Sequence, residues 1–139
     1  MRRPRLRTVK LSDGRVITVK SGLEENIALQ LDKAGLPVKY EKEVLKYTKP
    51  ERVSRYTPDF KLPNGIIIEG KGIFSSADRV KHLLVQEQFP NKDIRFVFTR
   101  SATALRKGSP TTYGDWCQKH GFKYADKTIP TNWLKERTK

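Results

Sequence analysis

Pro58-Asp59 is followed, ten residues after the aspartate, by Glu69-Gly70-Lys71, and a mostly apolar stretch with Pro63-Asn64-Gly65 near its middle separates the two. The Pro63-Asn64-Gly65 run is a turn signal, so its flanks read as paired strands with two carboxylates and an ammonium gathered at one end. Strand side chains alternate, so Lys71 points to the same face as Glu69. Oxygen donors grouped in this way suit a hard divalent ion such as Mg²⁺, for which Mn²⁺ can substitute. Held against a phosphodiester, such an ion lowers the pKa of an attacking water and neutralises the leaving oxygen. A lysine beside it can orient that water or meet the charge of the transition state. Plainer readings exist: Asp59 as a strand-start residue after proline, Glu69 and Lys71 as a solvated ion pair. The run Ile66-Ile67-Ile68 leading into Glu69 favours the site, because a buried strand delivers the glutamate.

The surroundings are basic. Among 139 residues there are 29 Lys and Arg against 15 Asp and Glu, a formal net charge of +14. The length fits one domain with a real core, and the charge predicts salt-sensitive attraction to a polyanion. No apolar run reaches the roughly 18 residues of a spanning helix, the N-terminus lacks the apolar stretch of a secretory signal, and no basic amphipathic helix carries an aromatic face. Nucleic acid is therefore the expected partner. The single cysteine, Cys117, rules out an internal disulfide and a thiolate zinc cluster, which points to a reducing cytosol.

The elements that must position these groups follow from local signals. Residues 1–20 read as a basic arm (Arg2, Arg3, Arg5, Arg7) and a hairpin over 8–20 turning at Asp13-Gly14. Residues 21–139 read as a single domain. Ser21-Gly22-Leu23-Glu24 opens a helix with an apolar stripe of Leu23, Ile27, Leu31 and Ala34, stopped at Gly35 and Pro37. Strands are expected over 38–45 and 59–69, with the polar, Pro50-containing stretch 46–57 as a connector between them. Ser75-Ser76-Ala77-Asp78 caps a second helix through Gln88. Residues 94–98 form a buried strand, 100–110 a loop, 111–120 a helix closed by Gly121, and Ile129-Pro130 leads into a short element holding Trp133. The expected fold class is α/β, a mixed sheet flanked by helices.

Several residues carry a structural reading. Ser21-x-x-Glu24 has the spacing of a capping box, in which the glutamate bonds the backbone at the helix start. His82 and His120 read as surface residues, Cys117 as a small buried one, and Trp116 and Trp133 as packing.

The chain resembles the T-seven-like phage endonuclease I family, which resolves four-way DNA junctions and belongs to the PD-(D/E)xK nuclease superfamily. The resemblance is carried by Ser21-Gly22-Leu23-Glu24, Tyr56-Thr57-Pro58-Asp59-Phe60, Leu62-Pro63-Asn64-Gly65-Ile66 and Glu69-Gly70-Lys71-Gly72. It continues through Lys81-His82-Leu83-Leu84, Lys107-Gly108-Ser109-Pro110-Thr111, Lys119-His120-Gly121, Ala125-Asp126-Lys127 and Ile129-Pro130. It implies a restriction-endonuclease-like core with Glu24, Asp59, Glu69 and Lys71 at the catalytic positions. Asp59 and Glu69 would be the principal ligands of Mg²⁺, Glu24 would help bind a second ion, and Lys71 would serve the water or the transition state. It also implies an intertwined homodimer in which residues 46–57 bridge the subunits and Glu24 of one chain completes the site of the other. Paired nicks leaving 5′-phosphate and 3′-hydroxyl ends would follow, in the host cytoplasm for a phage-encoded chain.

A junction is recognised by shape through its phosphates. Arg2, Arg3, Arg5, Arg7, Arg79, Lys81, Arg100, Arg106 and Lys107 are the candidate DNA contacts. Two other functions remain open at this point: a general or sequence-specific DNA nickase of the same superfamily, and a DNA-binding protein without catalysis.

Overall fold

In the computed structural model, residues 6–49 and 52–137 are described; Arg2, Arg3 and Arg5 of the basic arm lie outside the described residues. β1 (Arg7–Lys10) and β2 (Val16–Val19) pair antiparallel in the register Arg7↔Val19. They turn at Asp13-Gly14 as expected, with Gly14 at φ +91°, where a side chain would be strained. α1 (Gly22–Lys33) starts at Ser21, whose Oγ accepts the Glu24 N–H, and buries Ile27, Ala28 and Leu31. The expected strand over 38–45 does not form. Within it Tyr40 makes an isolated bridge to Phe60, and only its last residue, Leu45, joins a strand.

The expected connector 46–57 is instead an antiparallel hairpin, β3 (Leu45–Lys49) and β4 (Arg52–Tyr56), in the register Leu45↔Tyr56. Its physical basis is alternation: Leu45, Tyr47 and Tyr56 are buried while Lys46, Thr48 and Arg55 are exposed, so a polar-looking segment has one apolar face. β5 (Phe60–Lys61) and β6 (Ile67–Lys71) follow, then α2 (Ser76–Gln88) with a full capping box between Ser75 and Asp78. The Gln88 side-chain amide bonds both the N–H and the C=O of Thr48, tying the β3–β4 hairpin to α2. β7 (Ile94–Phe98), α3 (Tyr113–His120), β8 (Tyr124–Asp126) and α4 (Thr131–Lys135) complete the chain. No sequence signal had marked β8. Among the described residues no helix is long and apolar enough to cross a membrane.

The main sheet has the order β5-β6-β7-β8, with β5 antiparallel to β6 and the other neighbours parallel. Its two faces build two cores. On one, Ile68 and Val97 pack with Val9, Val19, Ile27, Leu31 and Trp133. On the other, Ile67, Phe96 and Phe98 pack with Phe74, Val85, Tyr113, Trp116 and the hairpin residues Tyr47 and Tyr56. The sheet is thus a middle layer between α1 with the first hairpin and α2 with α3, a mixed α/β architecture as expected.

His82 corrects the sequence reading: it is 0% exposed. Its ring sits among those of Tyr56, Phe96 and Phe74, at centroid distances of 5.2, 4.8 and 6.4 Å. The apolar run Leu83-Leu84-Val85 concealed the inward stripe, which is His82 with Val85, three residues apart on one helix face. Neither ring nitrogen has a hydrogen-bond partner among the described residues. Burial first, then the nearby Lys71 and Lys81 charges, pushes the His82 pKa down to about 3. Cys117, Trp116 and Trp133 are buried, as expected.

Gly70 sets the distance between α1 and the sheet. A Cβ at this position would lie 3.3 Å from Ile27 Cδ1 and 3.5 Å from Leu23 Cδ2. A branched side chain there should push α1 away from β6. We expect Gly70→Val to cost about 1–3 kcal/mol in chemical denaturation. Adding Ile27→Val, which removes the atom in the way, should restore part of that loss.

Candidate active site

Strand parity decides where each group points. Ile68 and Gly70 face α1, so Ile67, Glu69 and Lys71 face α2 and the β3–β4 hairpin. Glu69 is 3% exposed. Its Oε2 accepts the Tyr56 hydroxyl at 2.9 Å and the Asp59 N–H at 2.9 Å. Its Oε1 lies 3.9 Å from Lys71 Nζ, which also reaches Asp78 Oδ1 at 3.4 Å. The expected shared face of Glu69 and Lys71 is therefore present.

Asp59 immediately precedes β5, one step beyond the Phe60↔Ile68 pair and so beside Glu69. Its Oδ2 accepts the Gly70 N–H at 2.9 Å, and its carbonyl accepts the Glu41 N–H at 3.0 Å. The two acids are cross-linked through backbone amides of each other's strands.

Glu24 comes from the opposite side of the sheet, on the first turn of α1. Only half of the capping box is made: Ser21 Oγ takes the Glu24 N–H at 3.1 Å. The Glu24 carboxylate accepts instead from the Tyr40 hydroxyl and, at 3.5 Å, from the Lys20 N–H, with the Ser21 hydroxyl at 3.4 Å from its second oxygen. One carboxylate oxygen from each of Glu24, Asp59 and Glu41 falls within 4.8 Å of the others. Glu41 was not foreseen. It holds a left-handed backbone conformation, φ 52°, and its carboxylate pairs with Lys20 at 3.0 Å. Nothing in the spacing of Glu41 marks it. The same holds for Tyr40 and Tyr56, whose hydroxyls reach the site from the segment after α1 and from β4 respectively.

Gathering acids raises their proton affinity. Burial, then the charges of Glu69 and Glu24, pushes the Asp59 pKa up to about 8. Burial also raises Glu69, opposed by Lys71 and by the Asp59 N–H and Tyr56 O–H donors. Partly dry, mutually repelling carboxylate oxygens are the donor set a hard divalent cation complements, so the residues present fit such an ion.

The described DNA-contact candidates divide by what they touch. Arg7 pairs with Glu25 at 3.3 Å, beside the start of α1. Arg79 donates to the Phe74 carbonyl at 2.7 Å and so braces the turn after β6. Lys81 lies over the Tyr56 ring at 5.6 Å. Arg100, Arg106 and Lys107 are exposed on the loop after β7. That loop leaves the sheet beside Lys71, whose carbonyl accepts the Thr99 N–H at 3.2 Å.

The Asp59 shift has a signed consequence for the metal-free protein. Its folded pKa, about 8, lies above its ordinary 3.8, so the folded state binds this proton more tightly. The stability so gained is complete below the unfolded pKa and is lost as pH rises through the folded one. In chelator-treated protein, Asp59→Asn should therefore gain in melting temperature over the parent as pH goes from 5 to 8.5. A pH-independent difference in thermal melts would contradict this assignment.

Comparison with known proteins identifies the family. Residues 7–139 match the sequence family described as phage endonuclease I. The chain is 52% identical over 120 residues to the endonuclease I of Escherichia phage T7, covering 86% of this chain and 80% of that protein. It is 52% identical over 120 residues to the endodeoxyribonuclease 1 of Enterobacteria phage T3, covering 86% of this chain and 79% of that protein. The chain belongs to the phage endonuclease I family.

Proposed function

We propose that this protein is a Mg²⁺-dependent DNA endonuclease that resolves four-way junctions and other branched DNA by paired nicks leaving 5′-phosphate and 3′-hydroxyl ends. The observation that carries the reading is the meeting of Glu24, Asp59, Glu69 and Lys71 at one end of the β5–β6 pair, in a chain of net charge +14. Relatives named as an endonuclease and an endodeoxyribonuclease support the reaction class.

Asp59 and Glu69 would hold the ion, with Glu24 and the neighbouring Glu41 extending the oxygen set towards a second position. When bound, Mg²⁺ supplies Lewis-acid polarisation of the phosphate and a lowered pKa for the attacking water. Lys71, which lies between Glu69 and Asp78, would orient that water or offset charge on the phosphoryl oxygens. Lys81 and the exposed Arg100, Arg106 and Lys107 would grip phosphates on either side, which favours recognition of shape over base sequence.

Paired nicks need two sites, hence a homodimer. The single chain brings Glu24 to Asp59 by itself. Opening the β3–β4 hairpin into one continuous strand would hand α1 to the other subunit and preserve the same side-chain partners, which is how residues 46–57 would serve as a bridge. The site of action would be the host cytoplasm.

The deciding experiment is cleavage of an end-labelled four-way junction beside a linear duplex of the same sequence, with and without Mg²⁺. Symmetric metal-dependent cuts near the branch point, with the duplex spared, are expected. Equal cutting of both would make the protein a general nickase, and binding without cutting would remove the catalytic reading. Glu69→Ala should slow cleavage at least about a hundredfold while leaving junction binding intact or tighter in a gel-shift assay.

A further inference from the structure

The carboxylates of this site divide their oxygens unequally. Glu69 gives Oε2 to two donors, the Tyr56 hydroxyl and the Asp59 N–H, and leaves Oε1 facing Lys71 at 3.9 Å with no closer donor among the described residues. Asp59 gives Oδ2 to the Gly70 N–H, and among the described residues no donor reaches its Oδ1. Glu24 gives Oε1 to the Tyr40 hydroxyl and the Lys20 N–H, and its Oε2 has only the Ser21 hydroxyl at 3.4 Å. In each acid one oxygen is tied down and the other is left open or nearly so.

We propose that Tyr40 and Tyr56 are positioning residues, each occupying one oxygen of a metal-binding carboxylate so that Glu24 and Glu69 ligate through a single, aimed oxygen. The inference rests on the proposed reading of this site as a divalent-ion centre. It goes further by assigning work to two side chains that would act through the carboxylates they bond.

The tyrosines are built for this. Tyr56, the last residue of β4, is 1% exposed. Its ring meets the His82 ring edge-on at 5.2 Å and lies under the Lys81 ammonium at 5.6 Å, so the phenol has one orientation. This also gives the buried His82 a use, as a neutral, shape-filling wall behind Tyr56. Tyr40 packs its ring on Phe60 at 5.4 Å and bridges the same residue through its backbone. Tyr40 is thereby fixed to the strand that follows Asp59. Each hydroxyl donates to one carboxylate oxygen, Tyr40 to Glu24 Oε1 and Tyr56 to Glu69 Oε2. A carboxylate whose second oxygen is freed can swing to two-oxygen ligation or rotate away. Outer partners of this kind typically govern metal affinity by roughly ten- to a hundredfold.

The test uses the full chain with Tyr56→Phe and, separately, Tyr40→Phe, which keep the rings and delete only the hydroxyls. Mn²⁺ affinity is titrated by electron paramagnetic resonance without DNA, beside metal-free thermal melts and junction gel shifts. The carboxylate infrared stretches of the Mg²⁺-loaded protein report how many oxygens ligate. We expect Mn²⁺ binding about tenfold weaker or worse, unchanged junction affinity, a narrower separation of the carboxylate stretches, and cleavage partly rescued by raised Mg²⁺. Parental Mn²⁺ affinity in both variants would overturn the inference and leave the metal reading standing, whatever happens to the melting temperature. If the parent itself binds no Mn²⁺, the metal reading fails and takes the inference with it. Should Tyr56→Phe not fold, Tyr40→Phe, farther from the aromatic core, decides by the same readouts.

Discussion

Like charges must be held together against their own repulsion, and the rest of this structure follows from how that is done. Burial and the charges of Glu69 and Glu24 push the Asp59 pKa up to about 8, the mark of that repulsion. The opposing force is a pair of charge-assisted bonds to the main chain, Asp59 N–H to Glu69 and Gly70 N–H to Asp59, each worth about 1.5–3 kcal/mol. The bonds hold the pair together while the raised Asp59 pKa shows that it is not relaxed. Backbone donors are the right instrument, because an amide is fixed by the β5–β6 pairing and cannot rotate away as a side chain can. The short β5 strand, the glycine at position 70 and the three apolar residues before Glu69 all serve to keep that rung in place.

The same balance explains the contrast between the site and its surroundings. A chain of net charge +14 attracts a polyanion over its whole surface. In the acid cluster of Glu24, Glu41 and Asp59 a phosphate would meet repulsion. A divalent cation bound among Glu24, Glu41 and Asp59 would offset most of that negative charge. DNA binding and phosphate placement are thereby separable: basic side chains around the rim can govern the first, while the occupancy of the acidic centre governs the second.

Much of this was legible in the residues, for a physical reason. Asp59, Glu69 and Lys71 follow from hairpin geometry and strand parity, both of which are local. The caps at Ser21 and Ser75 and the stop at Gly121 are local too, and α1, α2 and α3 appear where those signals place them. What escaped depends on contacts far apart in sequence. The β3–β4 hairpin carries few apolar residues, and Leu45, Tyr47 and Tyr56 become a face only against Val85 and Phe96. His82 looks like any basic-segment histidine until the aromatic rings around it are in place. Glu41 reaches the site through a left-handed backbone that no composition signal announces. The capping-box spacing at Glu24 was half right, since the serine caps the helix while the glutamate side chain turns to Tyr40.

Glu24 and Glu69 belong to different cores: one is carried by a helix packed on the first face of the sheet, the other is locked to a tyrosine buried in the second. Neither half of the molecule owns a complete set of acids. A nascent or partly unfolded chain in which only one core has condensed would hold, at most, an incomplete set. Cutting power would then arise only with the last step of folding. An enzyme that attacks the most valuable polymer in the cell would in this way carry its own proof of assembly, written into the sidedness of a single four-stranded sheet.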